Sequence, residues 1–401
     1  MTAPVFLDMT RATARCWNGS NPTGIDRVCD AYAAHFAHRS IAVIQIRGRA
    51  VMLNRASSDL LMDSLELPPW QFRRALVAAL TMSAAAPLQP SQIRNAFYIN
   101  VGHSDFDLEA HWRWVQRAGL RPLYLLHDLI PITNPSVTTP HKSERHRGRV
   151  ESAIRQGAGI VVNSQSTADA LQSFARDRGL DIPSLLVAHI ASGSLPKLRP
   201  NLATHSNDFV AVGTVERRKN PHLLLRVWSQ LVDRMGPSAP KLVFAGSLGK
   251  GSEGVLDWLQ RSPKVSPFVK IESDLDDRAM AKTIASARGV LLPSFAEGYG
   301  IPLVEALERG VPVIGSKLAS FQELGQGIPT LLDPQNDTAW VEAITDFCSS
   351  GPEYQRQIDE VEYFRAPSWS HHFDLLEHWI SGLKQKEPNQ PNSNEQLAAF
   401  A

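Results

Sequence analysis

The stretch FAEGYGIPLVEALERG, residues 295–310, points to the fold class because it joins a short strand to a helix through a glycine-rich turn. The residues before it, RGVLLPS (288–294), form an apolar run that is typical of a buried strand. Pro302 suits the first helical position, and Gly310 suits the end of the helix. The sequence therefore predicts a strand, a loop and a helix in succession, which is the repeating unit of α/β folds.

Two glutamates flank this turn: Glu297 precedes the helix, and Glu305 lies inside it. At about 100° per residue, the apolar residues of the helix share one face and Glu305 lies on the opposite face. We therefore expect Glu305 to lie outside the hydrophobic core. Taken alone, either acid has an ordinary structural explanation, since Glu305 is favourable near a helix N-terminus and Glu297 is common in a Glu-Gly turn.

Length and composition limit the class of protein. The chain has 401 residues, which favours two domains, and 43% of them are hydrophobic. Its net charge of +1 gives no reason to expect a nucleic-acid partner. The three cysteines form no CxxC pair, which argues against a disulfide framework or a zinc site. The first residues lack a signal-peptide pattern, and no run of about 18 apolar residues occurs. We expect a cytoplasmic protein that at most contacts the inner face of the membrane.

Short apolar runs alternate with helix-length amphipathic segments, which is the pattern of parallel sheets flanked by helices. The strand candidates are residues 5–8, 41–46, 96–101, 123–127, 159–164, 184–190, 209–213, 241–246, 269–273, 289–293 and 311–316. A segment rich in Ser, Pro and Asn, residues 192–208, is typical of an interdomain linker. The predicted domains are residues 1–200 and 201–365, and the polar tail 384–401 is predicted to be disordered.

Three cations, Arg217, Arg218 and Lys219, crowd the loop that follows the strand FVAVG. Asn220 suits the cap of the next helix, and Pro221 suits its first position. Helix N-termini supply free N–H groups and positive potential, so the loop suits a diphosphate, although a solvated run of charges is the alternative. The loop lies at the carboxyl end of a strand, where ligands of open α/β sheets bind, and this favours phosphate binding.

The turn at residues 299–302 also ends at a helix N-terminus, and Gly300 lacks the side chain that would keep a phosphate from the backbone. Two loops of one domain can therefore hold one nucleoside diphosphate. Glu305 can then accept hydrogen bonds from ribose hydroxyls, and Glu297 from sugar hydroxyls, because ionised carboxylates only accept.

These segments together resemble a known family. FAEGYGIPLVEAL, with its Glu-x7-Glu spacing, and GTVERRKN are similar to the retaining glycosyltransferases of family 4, and LLHDLIP and GIVVNSQSTADAL fit the same family. The resemblance implies the GT-B fold, an α/β fold of two facing Rossmann-like domains with a donor cleft between them. It also implies transfer of a hexosyl group from a nucleoside diphosphate sugar. FRAPSWSHHFDLLEHWI resembles the family's terminal helix, which implies that residues 366–383 cross back to the first domain.

The resemblance assigns roles to the charged residues. It implies that Lys219 and one arginine, Arg218 by first choice, hold the donor diphosphate. Glu297 then faces the donor sugar, and Glu305 binds the ribose. The predicted donor-binding set also includes Gly24, Gly213, Arg217, Gly298, Tyr299, Gly300 and Ile301.

His127, at the end of LYLLH, matches the histidine that family members place beside the reacting sugar. His103, in NVGHSD, is the rival for this role, and either also suits a histidine with satisfied hydrogen bonds at a strand end. Two other classes of protein share the architecture. A GT-B epimerase would use His127 or His103 for proton transfer, and a catalytically inactive GT-B protein would serve as a sugar-nucleotide-binding scaffold.

The chain departs from the family pattern in two loops. Thr214 occupies the position where many members have an arginine. This leaves open which of Arg217, Arg218 and Lys219 contact the donor diphosphate. The loop NPTGIDRV has one glycine where members have two. Its Asp26 and Arg27 are placed to contact the acceptor or a donor phosphate, and helix capping is the alternative for Asp26.

We expect neither a metal nor another cofactor, because no His/Cys cluster occurs and the cationic loop can stabilise the charge of the leaving diphosphate. Residues 270–277 are expected to contact the base. The expected partners are a nucleotide-sugar donor and a glycan or lipid-linked glycan acceptor, by family resemblance in bacterial polysaccharide or O-antigen synthesis.

Overall fold

The computed structural model describes residues 5–193, 195–196, 207–249 and 252–385, and within them the chain folds around two separate sheets. The first sheet has the order β3-β2-β1-β4-β5-β6-β7, and only β3 runs antiparallel to its neighbour. Its strands are β1 (Val5–Asp8), β2 (Ser40–Ile46), β3 (Arg49–Met52), β4 (Phe97–Asn100), β5 (Arg121–Leu126), β6 (Gly159–Val162) and β7 (Ser184–Val187).

The second sheet is entirely parallel and has the order β10-β9-β8-β11-β12-β13. Its strands are β8 (Phe209–Val212), β9 (Leu242–Ala245), β10 (Val269–Glu272), β11 (Gly289–Leu292), β12 (Val313–Ser316) and β13 (Thr330–Leu332). We call the part of the chain up to β7 the N-terminal domain and the part from β8 onward, up to the last helix, the C-terminal domain.

Helices cover both faces of the sheets. Those of the N-terminal domain are α1 (Thr10–Asn18), α2 (Gly24–Phe36), α3 (Arg55–Asp63), α4 (Pro69–Ala85), α5 (Pro90–Ile93), α6 (Glu109–Ala118), α7 (Ile130–Thr133), α8 (Pro140–Gln156) and α9 (Gln165–Arg176). Those that follow are α10 (Pro221–Met235), α11 (Glu253–Gln260), α12 (Asp277–Ser286), α13 (Ile301–Glu308), α14 (Ala319–Gly325), α15 (Asp337–Cys348), α16 (Pro352–Val361) and α17 (Trp369–Gln385). No helix in the described part of the chain is both long and apolar enough to span a bilayer.

The two-domain α/β prediction is confirmed, and each of the eleven predicted strands overlaps an observed one. Central strands such as β1, β8 and β11 are buried along their whole length, which is why they form continuous apolar runs in the sequence. The apolar runs of the sequence did not predict strands β3 and β13. Strand β3 is an edge strand whose residues alternate between exposed and half-buried, and β13 has only three residues.

Helix α17 packs against the N-terminal domain. His372 and Tyr32 are joined by a buried hydrogen bond of 2.8 Å, and Glu377 pairs with His35 and Arg39. The boundary predicted near residue 200 lies outside the described residues and stays a prediction. The predicted disordered tail overlaps the end of α17 at residues 384–385, and its remainder lies outside the described residues.

Candidate active site

A cleft of about 1110 Å³ lies between the two domains, at the carboxyl ends of the parallel strands. The N-terminal domain contributes the loop between α1 and α2 and residues that follow β5 and β6. The C-terminal domain contributes the loops that follow β8, β9, β10 and β11. The cleft therefore collects residues that are far apart in the sequence.

Three of the predicted residues meet directly in this cleft. Glu297 accepts from Arg218 Nη1 at 2.8 Å and from Lys219 Nζ at 2.5 Å. The hydroxyl of Ser294 donates to the same carboxylate at 2.7 Å. Burial alone would raise the pKa of Glu297, but the two cations outweigh it and lower the pKa to about 2. Glu297 is therefore ionised at neutral pH. Arg218 also pairs with Glu216 at 2.9 Å.

The rest of the basic loop differs from the prediction in two respects. Arg217 is exposed and does not line the cleft, because the loop forms a short 3-10 turn that directs Arg218 and Lys219 inward. Asn220 does not cap α10 through its side chain, which instead donates to the carbonyl of Pro334 at 2.9 Å. Gly213 and Thr214 line the cleft as expected from their place after β8.

Gly298 lies where the two domains touch. A Cβ at this position would lie 2.4 Å from the Cβ of Asp128 in the N-terminal domain. The hydroxyls of Ser164 and Thr167 donate to the carbonyl of Gly298 at 3.0 and 3.2 Å. The absence of a side chain at Gly298 therefore allows the Glu297 loop to pack against the opposite domain.

Gly300 has a φ of +122°, a conformation that favours glycine, and it precedes α13. A Cβ here would lie 2.8 Å from the ring of Phe321. Packing therefore requires glycine at this position, in addition to the predicted approach of a phosphate. Tyr299 is buried, and its hydroxyl donates to the carbonyl of Ile190, which follows β7, at 2.5 Å. Ile301 lines the cleft and begins α13, so that Pro302 is the second helical residue.

The expectation that Glu305 lies outside the core is wrong, since only 6% of the residue is exposed. The chain segment that joins the two domains covers this face of α13, and a Cβ at Gly193 would lie 2.6 Å from Glu305 Oε1. Burial raises the pKa of Glu305 to about 7, although Arg309 and Arg27 lower it. A helical projection cannot reveal this because the covering segment belongs to another part of the chain.

The loop before α2 supplies structural contacts as well as part of the cleft wall. Gly24 lines the cleft, and a Cβ on it would lie 3.2 Å from Ile301. Asp26 forms a capping box at the start of α2, which supports the helix-capping alternative rather than a phosphate contact. Arg27 lines the cleft and pairs across the domains with Asp277 at 2.5 Å.

The two candidate histidines differ in position. His127 lines the cleft, whereas His103 is not among the lining residues. His127 Nε2 donates to the carbonyl of Val101 at 2.8 Å, so Nδ1 of the neutral ring is left as an acceptor. Burial lowers the pKa of His127 to about 4, and the imidazole is therefore neutral at pH 7.

Two Asp-x-Asp sequences, residues 105–107 and 274–276, are candidate metal ligands, since paired carboxylates can hold divalent cations. Asp107 is paired with two arginines of α8. The second sequence lines the cleft, but Asp276 caps α12 by accepting from a backbone N–H at 2.7 Å. In the described ranges no group of three His, Cys, Asp or Glu side chains could hold a metal ion. Metal independence stays a prediction.

The cleft is also lined by residues to which the sequence analysis assigned no role. Asp128 and Asn163 follow strands β5 and β6, and Lys142 lies in the first turns of α8. For Asp128 and Asn163 a signal existed, because each stands at the carboxyl end of an apolar run. For Lys142 there was none, since nothing in a charged helix marks the turn that faces a cleft.

Comparison with known proteins agrees with this architecture. Residues 197–362 match the family described as glycosyl transferases group 1. The D-inositol 3-phosphate glycosyltransferase of Nocardiopsis dassonvillei is 26% identical over 51% of both chains. That of Mycobacteroides abscessus is 24% identical over 75% of this chain and 70% of its own. The serotype-specific mannosyltransferase WbdA of Escherichia coli is 29% identical over 53% of this chain and 28% of its own. The chain thus spans about half the length of the first relative.

Solved structures show the same fold at low sequence identity. Sucrose-phosphate synthase from Thermosynechococcus elongatus superposes with a TM-score of 0.65 at 15% identity, over 96% of this chain and all of that one. Anabaena Alr3699/HepE, solved with UDP and glucose, gives 0.65 at 16% identity over 95% of this chain and all of its own. The chain therefore has the GT-B fold of two Rossmann-like domains, and its residues 197–362 are similar to the group 1 glycosyl transferases.

Proposed function

We propose that this protein is a retaining glycosyltransferase of family 4 that moves a hexosyl group from a nucleoside diphosphate sugar to an acceptor hydroxyl. The observation that carries the proposal is the cluster of Arg218, Lys219 and Glu297 in the interdomain cleft. The two cations suit a diphosphate, and the ionised carboxylate of Glu297 can accept hydrogen bonds from sugar hydroxyls. Anabaena Alr3699/HepE, a neighbour with the GT-B fold, was solved in complex with UDP and with UDP-glucose, which supports a nucleotide-sugar donor.

In the proposed reaction the bond between the anomeric carbon and the diphosphate oxygen breaks, and negative charge develops on that oxygen. Arg218 and Lys219 stabilise this charge from fixed positions, aided by the N-terminus of α13. The acceptor hydroxyl attacks the same face of the sugar and passes its proton to the leaving diphosphate. Glu297 orients the sugar and is not the nucleophile, because its pKa of about 2 and its two ion pairs make it a weak one.

The remaining cleft residues bind the other parts of the donor and the acceptor. Glu305 accepts from the ribose hydroxyls, and residues 273–277 contact the base. His127 offers Nδ1 to a sugar hydroxyl. The acceptor is a glycan or lipid-linked glycan that enters along the N-terminal domain, at the cytoplasmic side of the membrane. The likeness to WbdA, a mannosyltransferase, supports a role in polysaccharide or O-antigen synthesis.

The epimerase alternative has less support. Proton transfer at neutral pH works best with a group whose pKa is near 7. The pKa of His127 is about 4, and its Nε2–H is held by a backbone carbonyl. A sugar-nucleotide-binding scaffold would use the cluster around Glu297 for binding alone, so release of diphosphate on addition of an acceptor separates it from the transferase.

A donor screen tests the proposal. Purified protein is incubated with UDP-, GDP- and ADP-linked hexoses, with and without glycan acceptors, in excess EDTA. We expect one donor to release its nucleoside diphosphate faster when acceptor is present, with the anomeric configuration retained in the product. Conversion of the sugar nucleotide without release of diphosphate would instead indicate an epimerase. Loss of activity in EDTA that manganese or magnesium restores would contradict the metal-independent mechanism.

A further inference from the structure

A second cavity lies in the N-terminal domain, at the end of the sheet opposite the interdomain cleft. Its volume is about 880 Å³, which is within the range of small-molecule sites. It reaches the amino ends of three neighbouring strands, through Phe6 of β1, Ile41 of β2 and Ala96, which precedes β4. The cleft lies at the carboxyl ends of the strands, and the two cavities share no lining residue.

The floor of the second cavity is apolar. Phe6, Ile41 and Ala96 are buried, and the segment that follows α4, residues 86–88, adds an alanine, a proline and a leucine to the wall. A ligand that covers this surface with apolar atoms gains the free energy of removing both surfaces from water. The floor therefore favours a ligand with an apolar body.

The charged side chains that line the second cavity carry one sign. They are Arg39, Arg55 and Arg94, and no aspartate or glutamate is among the described residues that line it. Arg39 and Arg55 pair with Glu377 and Asp59. Arg94 is exposed and forms no ion pair with the described part of the chain. One unpaired cation at the rim suits a ligand with one anionic group.

Arg39 adds a hydrogen-bond donor without a partner. Its Nη2 donates to Glu377 of α17, and its Cζ lies 5.0 Å from the ring centroid of Phe36. Its Nε is shielded from solvent and has no acceptor among the described residues. Buried N–H groups are normally paired, so an oxygen acceptor supplied beside Arg39 would complete its hydrogen bonding.

We propose that the second cavity binds a small amphipathic anion, a molecule with an apolar ring or chain and one carboxylate, sulfonate or phosphate group. The apolar part lies on the floor formed by the strand ends, and the anionic group meets Arg94 and Arg39. The site is separate from the interdomain cleft, so the proposal does not depend on the proposed transferase function.

A fluorescence titration tests the site. The full chain is titrated with anilinonaphthalene sulfonate, which joins an apolar ring system to one anionic group and becomes fluorescent in apolar surroundings. We expect saturable binding that an excess of UDP or GDP does not displace. Octanoate should displace the probe at least fivefold more effectively than octanol, because the two share an apolar chain and differ in charge.

Charge variants at the rim locate the probe. Ala56 is exposed, lines the second cavity and lies in the first turn of α3, where an acidic side chain favours the helix. Ala56→Glu should raise the Kd of the probe at least fivefold, whereas Ala56→Lys should leave it equal or lower. Arg94→Gln should also raise it at least fivefold. Its matched control, Arg234→Gln at an exposed position of α10, should change it less than twofold.

Other outcomes contradict the proposal. These are the absence of saturable fluorescence, displacement of the probe by UDP or GDP, and equal displacement by octanoate and octanol. Equal Kd values for the two Ala56 variants, or for Arg94→Gln and Arg234→Gln, would place the probe elsewhere on the protein. Melting temperatures near that of the wild type exclude unfolding as the cause. Arg94 and Arg234 are both exposed, so this pair tests the site even if an Ala56 variant unfolds.

Discussion

Glu297 and Glu305 lie eight residues apart in the chain, yet the structure gives their carboxyl groups opposite electrostatic environments. Two cations hold the pKa of Glu297 at about 2, whereas burial raises that of Glu305 to about 7. The separation of the two acids across a turn thus places one charged and one partly protonated carboxyl group in the same cleft. Each environment leads to a different mutational result.

Replacing Glu297 should separate turnover from nucleotide affinity. Glu297→Gln removes a negative charge beside Arg218 and Lys219, so the affinity for free nucleoside diphosphate should stay equal or increase. The sugar loses its orienting carboxylate, and kcat should fall by about 100-fold or more. Glu216→Gln is the matched control, because Glu216 pairs with Arg218 alone. Weaker diphosphate binding in Glu297→Gln than in the control would show that the carboxylate instead serves the diphosphate.

Replacing Glu305 should alter stability in a pH-dependent way. The folded pKa of about 7 exceeds the usual 4.5, so the folded state holds a proton that the unfolded state has lost between these values. This group therefore stabilises the protein fully below pH 4.5, and the contribution is lost as the pH rises through 7. Relative to wild type, Glu305→Gln should gain roughly 1–3 kcal/mol of unfolding free energy between pH 5 and pH 8. Parallel melting curves across this range would contradict the buried, protonated carboxyl group.

The same variant has an expected kinetic effect. Ribose binding is common to the ground state and the transition state, so Glu305→Gln should mainly raise the donor KM. A fall in kcat with unchanged KM would mean that Glu305 acts on the reacting sugar.

At the scale of elements, the turn before α13 combines a strained backbone with close packing. Gly300→Ala would force a Cβ into a φ of +122° and toward the ring of Phe321. We expect a loss of about 2 kcal/mol or more in unfolding free energy. Gly382→Ala in α17 is the matched control, since nothing lies within 4 Å of its added Cβ. It should be neutral or stabilising by about 0.5–1 kcal/mol. Similar melting temperatures for both variants would mean that the turn relaxes freely.

The elements also show what the sequence could predict. Strand β11, the turn and α13 follow from a short apolar run, a glycine and a proline, all of which act locally. The burial of Glu305 depends on a segment more than 100 residues earlier. The side chain of Asn220 donates to the carbonyl of Pro334 instead of capping α10. Arg217 and Lys219 are chemically similar neighbours, and only the 3-10 turn decides which one faces the cleft. Local signals are readable from sequence, whereas the covering of one element by another is not.

At the scale of the whole molecule, side chains of one domain complete elements of the other. Glu323 of α14 accepts from the N–H groups of Gln165 and Ser166 at 2.6 and 3.0 Å, and so caps α9 of the N-terminal domain. Arg27 and Asp277 pair across the cleft. The arrangement brings the loops that follow β8 and β11 against His127 and the loop before α2, so the two substrates of the proposed reaction would meet between the domains.

The central claim is that the inward-facing cations of the basic loop hold the donor diphosphate. Calorimetric titration of UDP and GDP into wild type, Lys219→Ala and Arg217→Ala tests it most directly, because Arg217 carries the same charge two residues away but is exposed outside the cleft. For the tighter-binding nucleotide, Lys219→Ala should raise Kd by about 10–100-fold, as expected for a charge-assisted bond of about 1.5–3 kcal/mol. Arg217→Ala should change Kd less than threefold. Unchanged affinity in Lys219→Ala, or equal losses in both variants, would contradict the claim.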